Sequence, residues 1–199
     1  MSTAHAVFER MFEVSEDPWG FRNQWYEARK RDLLLACLPA ARYRHAYQPG
    51  CANGELVAAL AARCDRVLAS DGAVEAVKLA RQRVEFLSHV EIAQAWMPDQ
   101  WPAKTFDLIV LSEFGFYLSA TALSTLIGRA KQSLGNGGTL LACHWRHPVA
   151  GYALNGDTVH QMLDAHLQWP TLVHHQEKDL VIDVWCADPR SSAEHHNAA

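Results

Sequence analysis

Tyr47-Gln48-Pro49-Gly50-Cys51-Ala52-Asn53-Gly54-Glu55-Leu56 decides the reading of this chain, because a second apolar segment, Val67-Leu68-Ala69-Ser70-Asp71, follows it. A short apolar run enters a tight glycine-containing turn. Leu56, Val57, Leu60 and Ala61 then recur at helical spacing. The next strand ends in a carboxylate. That order is what a βαβ nucleotide site requires. Gly50 and Gly54 let the backbone turn sharply and approach a ligand that a Cβ would strike. Asp71 can accept two hydrogen bonds from a ribose diol.

The spacing separates two ligands. A dinucleotide fingerprint reads G-x-G-x-x-G/A. Aligned on Gly50, its middle glycine falls on Ala52 and its last position on Glu55, where only a small residue packs closely. The turn instead resembles motif I of the class I S-adenosylmethionine-dependent methyltransferases, usually E/D-x-G-x-G-x-G. Gln48 stands in place of the acid and Ala52 in place of the middle glycine. Gln48 can hydrogen-bond but brings no charge toward a cationic ligand.

At 199 residues one domain is expected, with enough chain for a three-layer core. Hydrophobic residues make up 49% and charged residues 20%, which excludes a disordered chain. The net charge of -4 argues against a dedicated nucleic-acid binder. The basic run Arg29-Lys30-Arg31 is read as a solvated helix face. No stretch approaches the ~18 apolar residues of a membrane span. The start, Met1-Ser2-Thr3-Ala4-His5, lacks the basic and apolar regions of a signal peptide, so a cytoplasmic location is expected. Cys37, Cys51, Cys64, Cys143 and Cys186 include no C-x-x-C pair, so neither a disulfide framework nor a zinc knuckle is expected.

The periodicity predicts a helix over about 20–38, strands at 45–47, 66–70, 90–93, 106–111 and 139–143, and helices over about 54–64, 73–86, 120–134 and 157–167. Gly135-Asn136-Gly137-Gly138 reads as a C-cap turn. Closing strands at 171–176 and 179–187 form a hairpin. The expected fold is α/β: a three-layer α/β/α Rossmann-like arrangement with a seven-stranded, mostly parallel sheet and a C-terminal antiparallel hairpin. Residues 1–40 are expected as an N-terminal helical cap, 41–188 as the cofactor-binding body and 189–199 as a disordered tail. Ligands of such sheets sit at the carboxyl ends of the strands. These ends are Gly50, Asp71, Ala95-Trp96, Ser112-Glu113-Phe114 and His144-Trp145-Arg146-His147.

The resemblance extends further. Asp17-Pro18-Trp19-Gly20-Phe21, Trp25-Tyr26-Glu27 with Arg29-Lys30, the Gly50–Gly54 turn and Ser112-Glu113-Phe114-Gly115-Phe116-Tyr117-Leu118 are similar to the nodulation-protein-S-like methyltransferases. The likeness covers roughly residues 8–187. That branch of the class I fold includes enzymes that N-methylate an amino sugar on chitooligosaccharide precursors. The resemblance implies S-adenosyl-L-methionine as cofactor. Gln48, Gly50, Cys51, Ala52 and Gly54 would pass beneath its methionine part, offering backbone N–H groups. Asp71 and Gly72 would hold the ribose. Ala95, Trp96 and Met97 would flank the adenine. Ser112, Glu113 and Phe114 would stand beside the methyl-transfer point, with Trp19, Tyr26 and Arg29 closing the mouth.

Methyl transfer is an in-line displacement in which alignment and water exclusion do most of the work. An amine must be neutral to attack. His144 and Glu113 are the candidate bases, His144 being favoured by its pKa, and Tyr117 could orient the acceptor. His144 and His147 form an H-x-x-H without a third ligand, so no metal is expected. The expected function is methyl transfer to nitrogen or oxygen of a small polar acceptor, with no nucleic-acid or membrane partner. The alternatives are a binding protein that keeps the pocket without turnover, and a nicotinamide-dependent oxidoreductase, which Glu55 disfavours.

Overall fold

The computed structural model describes residues 3–188, 190, 191, 193 and 194. The strands are β1 (Ala46–Pro49), β2 (Val67–Asp71), β3 (Val90–Gln94), β4 (Phe106–Ser112), β5 (Leu134–Trp145), β6 (Thr171–Gln176) and β7 (Leu180–Cys186). They form one seven-stranded sheet in the order β3-β2-β1-β4-β5-β7-β6. β1 to β5 run parallel, and β7 pairs antiparallel with both β5 and β6. The helices are α1 (Thr3–Val14), α2 (Trp25–Cys37), α3 (Glu55–Ala61), α4 (Val74–Arg83), α5 (Ala120–Ser133) and α6 (Gly156–Leu167), with a 3-10 turn at Gly115–Tyr117. This is the expected three-layer Rossmann-like arrangement with its C-terminal antiparallel hairpin. The expected tail lies mostly outside the described residues.

Strand residues alternate between two cores. Ala46, Val67, Ala69, Leu108, Val110, Leu141 and Ile182 pack on the face covered by α2, α3 and α4. Tyr47, Leu68, Ile109, Leu111, Leu140 and Trp185 pack on the face of α5 and α6. The apolar run of β4 is thus buried on both faces. Phe106 shares a face with Ile109 although the count of residues puts it opposite. A register irregularity between Phe106 and Leu108 accounts for this.

Two local expectations change. The helix expected from about residue 20 begins at Trp25. Asp17 accepts hydrogen bonds from the N–H groups of Phe21 at 2.8 Å and Arg22 at 2.9 Å, which folds 17–22 into a turn that competes with helix. The glycines at 135–138 belong to β5, not to a separate turn: Leu134 pairs with Phe106 and Thr139 with Leu108, so the glycine segment bulges opposite Asp107. α1 falls within the expected helical cap, ahead of the one helix placed there. It turns Phe12 into a small core with Ala73, Ala76 and Leu79, against which Phe8 packs.

Candidate active site

β1 lies between β2 and β4, and the chain leaves the ends of β1 and β4 toward opposite faces of the sheet. That reversal opens a crevice. A cavity of about 840 Å³ fills it. Its floor is the 50–54 turn, where Gly50 (φ 67°), Ala52 (φ 47°) and Gly54 (φ 82°) adopt left-handed backbone. A Cβ on Gly50 would come within 2.8 Å of the Phe114 ring. One on Gly54 would come within 2.9 Å of the Ala80 Cα, so this glycine lets α3 pack on α4. The turn is tied to β2. Cys51 N donates to Ser70 O and Ala52 N donates to Asp71 Oδ2, each at 2.9 Å, and Gly54 N donates to Cys51 O at 3.0 Å. The expectation that this loop presents backbone N–H groups to a ligand is therefore corrected for these three residues: their donors stabilise the turn itself.

Asp71 also accepts from Ala73 N at 3.0 Å. Burial pushes its pKa up, opposed by the N–H groups of Ala52, Ala73 and Gly72. Gln48 and Asn53 are buried beside it, and Gln48 Oε1 and Asn53 Oδ1 have no hydrogen-bond partner. The Asn53 amide donates to Asp17 Oδ1 at 2.9 Å, joining the N-terminal segment to the floor. An unpaired buried acceptor costs ~1–3 kcal/mol, which a ligand donor would recover.

The opposite wall carries charge. Glu113 follows β4 with left-handed backbone (φ 51°). Its Oε1 accepts from Lys30 Nζ at 2.9 Å and its Oε2 from Trp145 N at 3.0 Å. Lys30 also donates to Glu27 Oε1 at 3.0 Å. Burial opposes the Lys30 charge, but the Glu113 and Glu27 carboxylates outweigh it and hold the ammonium above its ordinary pKa. The buried Tyr26 hydroxyl lacks a hydrogen-bond partner, and desolvation pushes its pKa up to about 12. Burial raises Tyr117 to about 12 as well, with Glu113 adding to the effect.

Gln48, Gly50, Cys51, Ala52, Asp71, Gly72, Ala95, Trp96, Met97, Ser112, Glu113, Phe114, Tyr117, Trp19 and Tyr26 all line the cavity. Three expected site residues stand outside that lining. Gly54 lies behind the turn, against Ala80. Arg29 makes two hydrogen bonds to Glu177, at 2.8 and 2.6 Å, and so ties α2 to the β6–β7 turn. Arg29 and His175 lower the Glu177 pKa to about 2. His144 is corrected most. It is fully buried, its Nε2 accepts from Gly115 N at 3.1 Å, and its Nδ1 faces His160 at 3.0 Å. Its lone pair is occupied, so it does not present a base to the crevice. His147 pairs with Asp179 at 2.7 Å.

The sequence profile of the family "Nodulation protein S (NodS)" matches residues 2–169. The chain belongs to the NodS family. Nodulation protein S of Rhizobium tropici is 28% identical over 130 residues, covering 64% of this chain and 55% of its own length. The chain spans about half the length of the curated relatives it matches. The crystal structure of N-methyltransferase NodS from Bradyrhizobium japonicum, in complex with S-adenosyl-L-homocysteine, is 25% identical with a TM-score of 0.84, covering 95% of this chain and 100% of that one. A candidate methyltransferase from Pseudomonas syringae is 48% identical with a TM-score of 0.74, covering 82% of this chain and 99% of the other.

In this NodS-family chain the wall residues that sequence reasoning missed are Glu27 and Lys30. Lys30 belonged to a run read as a solvated face, yet it is only 6% exposed. Glu27, Lys30 and Leu34 recur at spacings of three and four on α2, and all three are buried. That spacing was the available signal, hidden because charged residues seldom mark an inward stripe. Trp25 shows the reverse: this aromatic, next to Tyr26 in the same segment, is 76% exposed.

Proposed function

We propose that this chain binds S-adenosyl-L-methionine in the crevice and transfers its methyl group to nitrogen of a small polar acceptor, an amino sugar or a related amine. The observation that carries the reading is the floor itself. The glycine turn and Asp71 are locked together by the Ala52 N–H at 2.9 Å, with the unpaired Gln48 acceptor beside them. Those residues fit the cofactor. Asp71 keeps lone pairs for the ribose hydroxyls. Gln48 Oε1 offers an acceptor to the amino group of the methionine part. Gly50 leaves room that a Cβ would close. When bound, the sulfonium supplies an electrophilic methyl and a good leaving group.

The chain's own residues then align and shield. Phe8, Phe12, Trp19 and Phe21 wall the cavity and exclude water. Glu27, Lys30 and Glu113 carry one formal net negative charge beside the transfer point, which stabilises the positive charge that develops on an attacking nitrogen as the methyl arrives. Glu113 is held by Lys30 and by Trp145 N, and it accepts the hydrogen bond of the attacking nitrogen and takes up the proton released. Lys30 is held protonated and Tyr117 is raised to about 12, so neither serves as base. The Bradyrhizobium japonicum relative is an N-methyltransferase, which supports nitrogen as the accepting atom.

The test is incubation with methyl-labelled S-adenosylmethionine and a panel of amino sugars, simple amines and hydroxyl-only sugars. Label on nitrogen of the amino compounds is expected. Label only on the hydroxyl sugars would overturn the acceptor, and donor binding without transfer to any acceptor would overturn the enzyme.

A further inference from the structure

A buried chain of side chains that the proposed chemistry does not use ends on the wall of the site. Gly115 N donates to His144 Nε2 at 3.1 Å. A backbone N–H can only donate, so Nε2 carries the lone pair and the neutral ring holds its proton on Nδ1. That Nδ1 lies 3.0 Å from His160 Nε2, so Nδ1–H donates and His160 keeps its own proton on Nδ1. The His160 proton meets Asp183 Oδ2 at 2.5 Å. The second Asp183 oxygen faces His174 Nδ1 at 2.6 Å, on the exposed side of the hairpin. Both tautomers are therefore fixed from both ends, and every link from His144 to Asp183 is buried.

Gly115 opens the 3-10 turn whose Phe116 and Tyr117 line the cavity. The turn packs closely: a Cβ on Gly115 would come within 2.7 Å of Val159 on α6. Two residues earlier, Glu113 N donates to Cys143 O at 2.9 Å. The end of β5 thus anchors the segment twice, once by backbone and once through His144.

We infer that His144 is a positioning residue, which fixes the Gly115–Tyr117 wall through the Gly115 N–H while His160 and Asp183 set its tautomer. The inference rests on the reading of the crevice as a methyl-transfer site. It replaces a proton-carrying role with an accepting one. An imidazole whose free lone pair is spent on a backbone N–H takes no proton from an acceptor without releasing that backbone group into the core.

The test begins with the unmodified protein, labelled with nitrogen-15 at its histidines. Imidazole spectra across about pH 5.5–8.5, with the His144 ring assigned through its contact to the Gly115 amide, should show His144 as a neutral Nδ1–H tautomer that does not titrate, with the His160 proton on Nδ1. A doubly protonated or Nε2–H form of His144 would overturn the inference. Amide exchange at Gly115 is then compared in His144→Leu, which has no acceptor, and His144→Gln, whose side-chain oxygen can reach the position of Nε2. Exchange at least ten-fold faster in His144→Leu and restored within about three-fold in His144→Gln is expected. Equal exchange in all three proteins would overturn it. If His144→Leu does not fold, the wild-type spectra and the His144→Gln exchange still decide.

Turnover adds a separate reading. kcat should fall at least ten-fold in His144→Leu at unchanged donor Kd, and most of it should return in His144→Gln. Equal loss in both variants would make His144 a proton carrier and overturn the inference. If the wild type transfers no methyl group while the spectra and exchange behave as expected, the reading of the site fails and the anchoring of the turn stands.

Discussion

Asp71 and Glu113 face the crevice from the ends of β2 and β4, on either side of β1, and they should fail differently. If Asp71 holds the ribose as proposed, Asp71→Ala should weaken donor binding by ~1.5–3 kcal/mol, read by calorimetry. Glu113→Gln keeps the shape and removes the charge. It should lower turnover by about 10²–10⁴-fold with donor affinity nearly unchanged. Parallel loss of affinity and turnover would place Glu113 on the donor instead. His144 supplies a pH signature of the fold. Burial, together with the nearby His160 and Lys30, lowers its pKa well below 6.5. The unfolded chain therefore binds a proton that the folded chain refuses once the pH falls below about 6.5. Stability contributed by neutral His144 is complete above that value and declines as acid is added. Tm should drop between about pH 7.5 and 5.5, and the drop should be shallower in His144→Gln. An identical slope in both proteins would assign it to other groups.

At the level of elements, the 50–54 turn was legible because Gly50 and Gly54 combine left-handed backbone with no room for a Cβ. Gly50→Ala would combine a φ of 67° with a Cβ 2.8 Å from Phe114, so donor affinity and Tm should both fall. β4 was legible because a strand buried on both faces has no polar alternation to confuse it. The N-terminal segment was only half legible. Its aromatic content was plain, but which rings turn inward depends on the Asp17 turn, a side-chain-to-backbone bond that periodicity does not reveal. Trp19 packs on Phe12 and Phe21 over the cavity, whereas Trp25 points outward. Trp19→Ala should weaken donor binding several-fold, and Trp25→Ala should leave it unchanged. Lys30 was misread for a related reason: its burial depends on Glu113, 83 residues away in the chain. His144 was rightly placed at the end of β5 but wrongly aimed, because His160 and Gly115 reach it through tertiary packing alone.

Over the whole molecule, the sheet order opens a crevice at the end of β1, floored by the βαβ unit around Gly50 and Asp71. A ligand that binds only the folded chain stabilises it by ~2.7 kcal/mol at a hundred times its Kd. For a chain of this size that corresponds to a Tm rise of roughly 5–10 °C with S-adenosylhomocysteine. The central claim, nitrogen methylation in this crevice, is tested most directly by mass spectrometry of an amino-sugar acceptor after incubation with methyl-labelled S-adenosylmethionine. The account predicts one labelled methyl on the acceptor nitrogen with the wild-type protein and a loss of about 10²-fold or more with Glu113→Gln. Tight donor binding with no label on any amine, or label found only on oxygen, would contradict it.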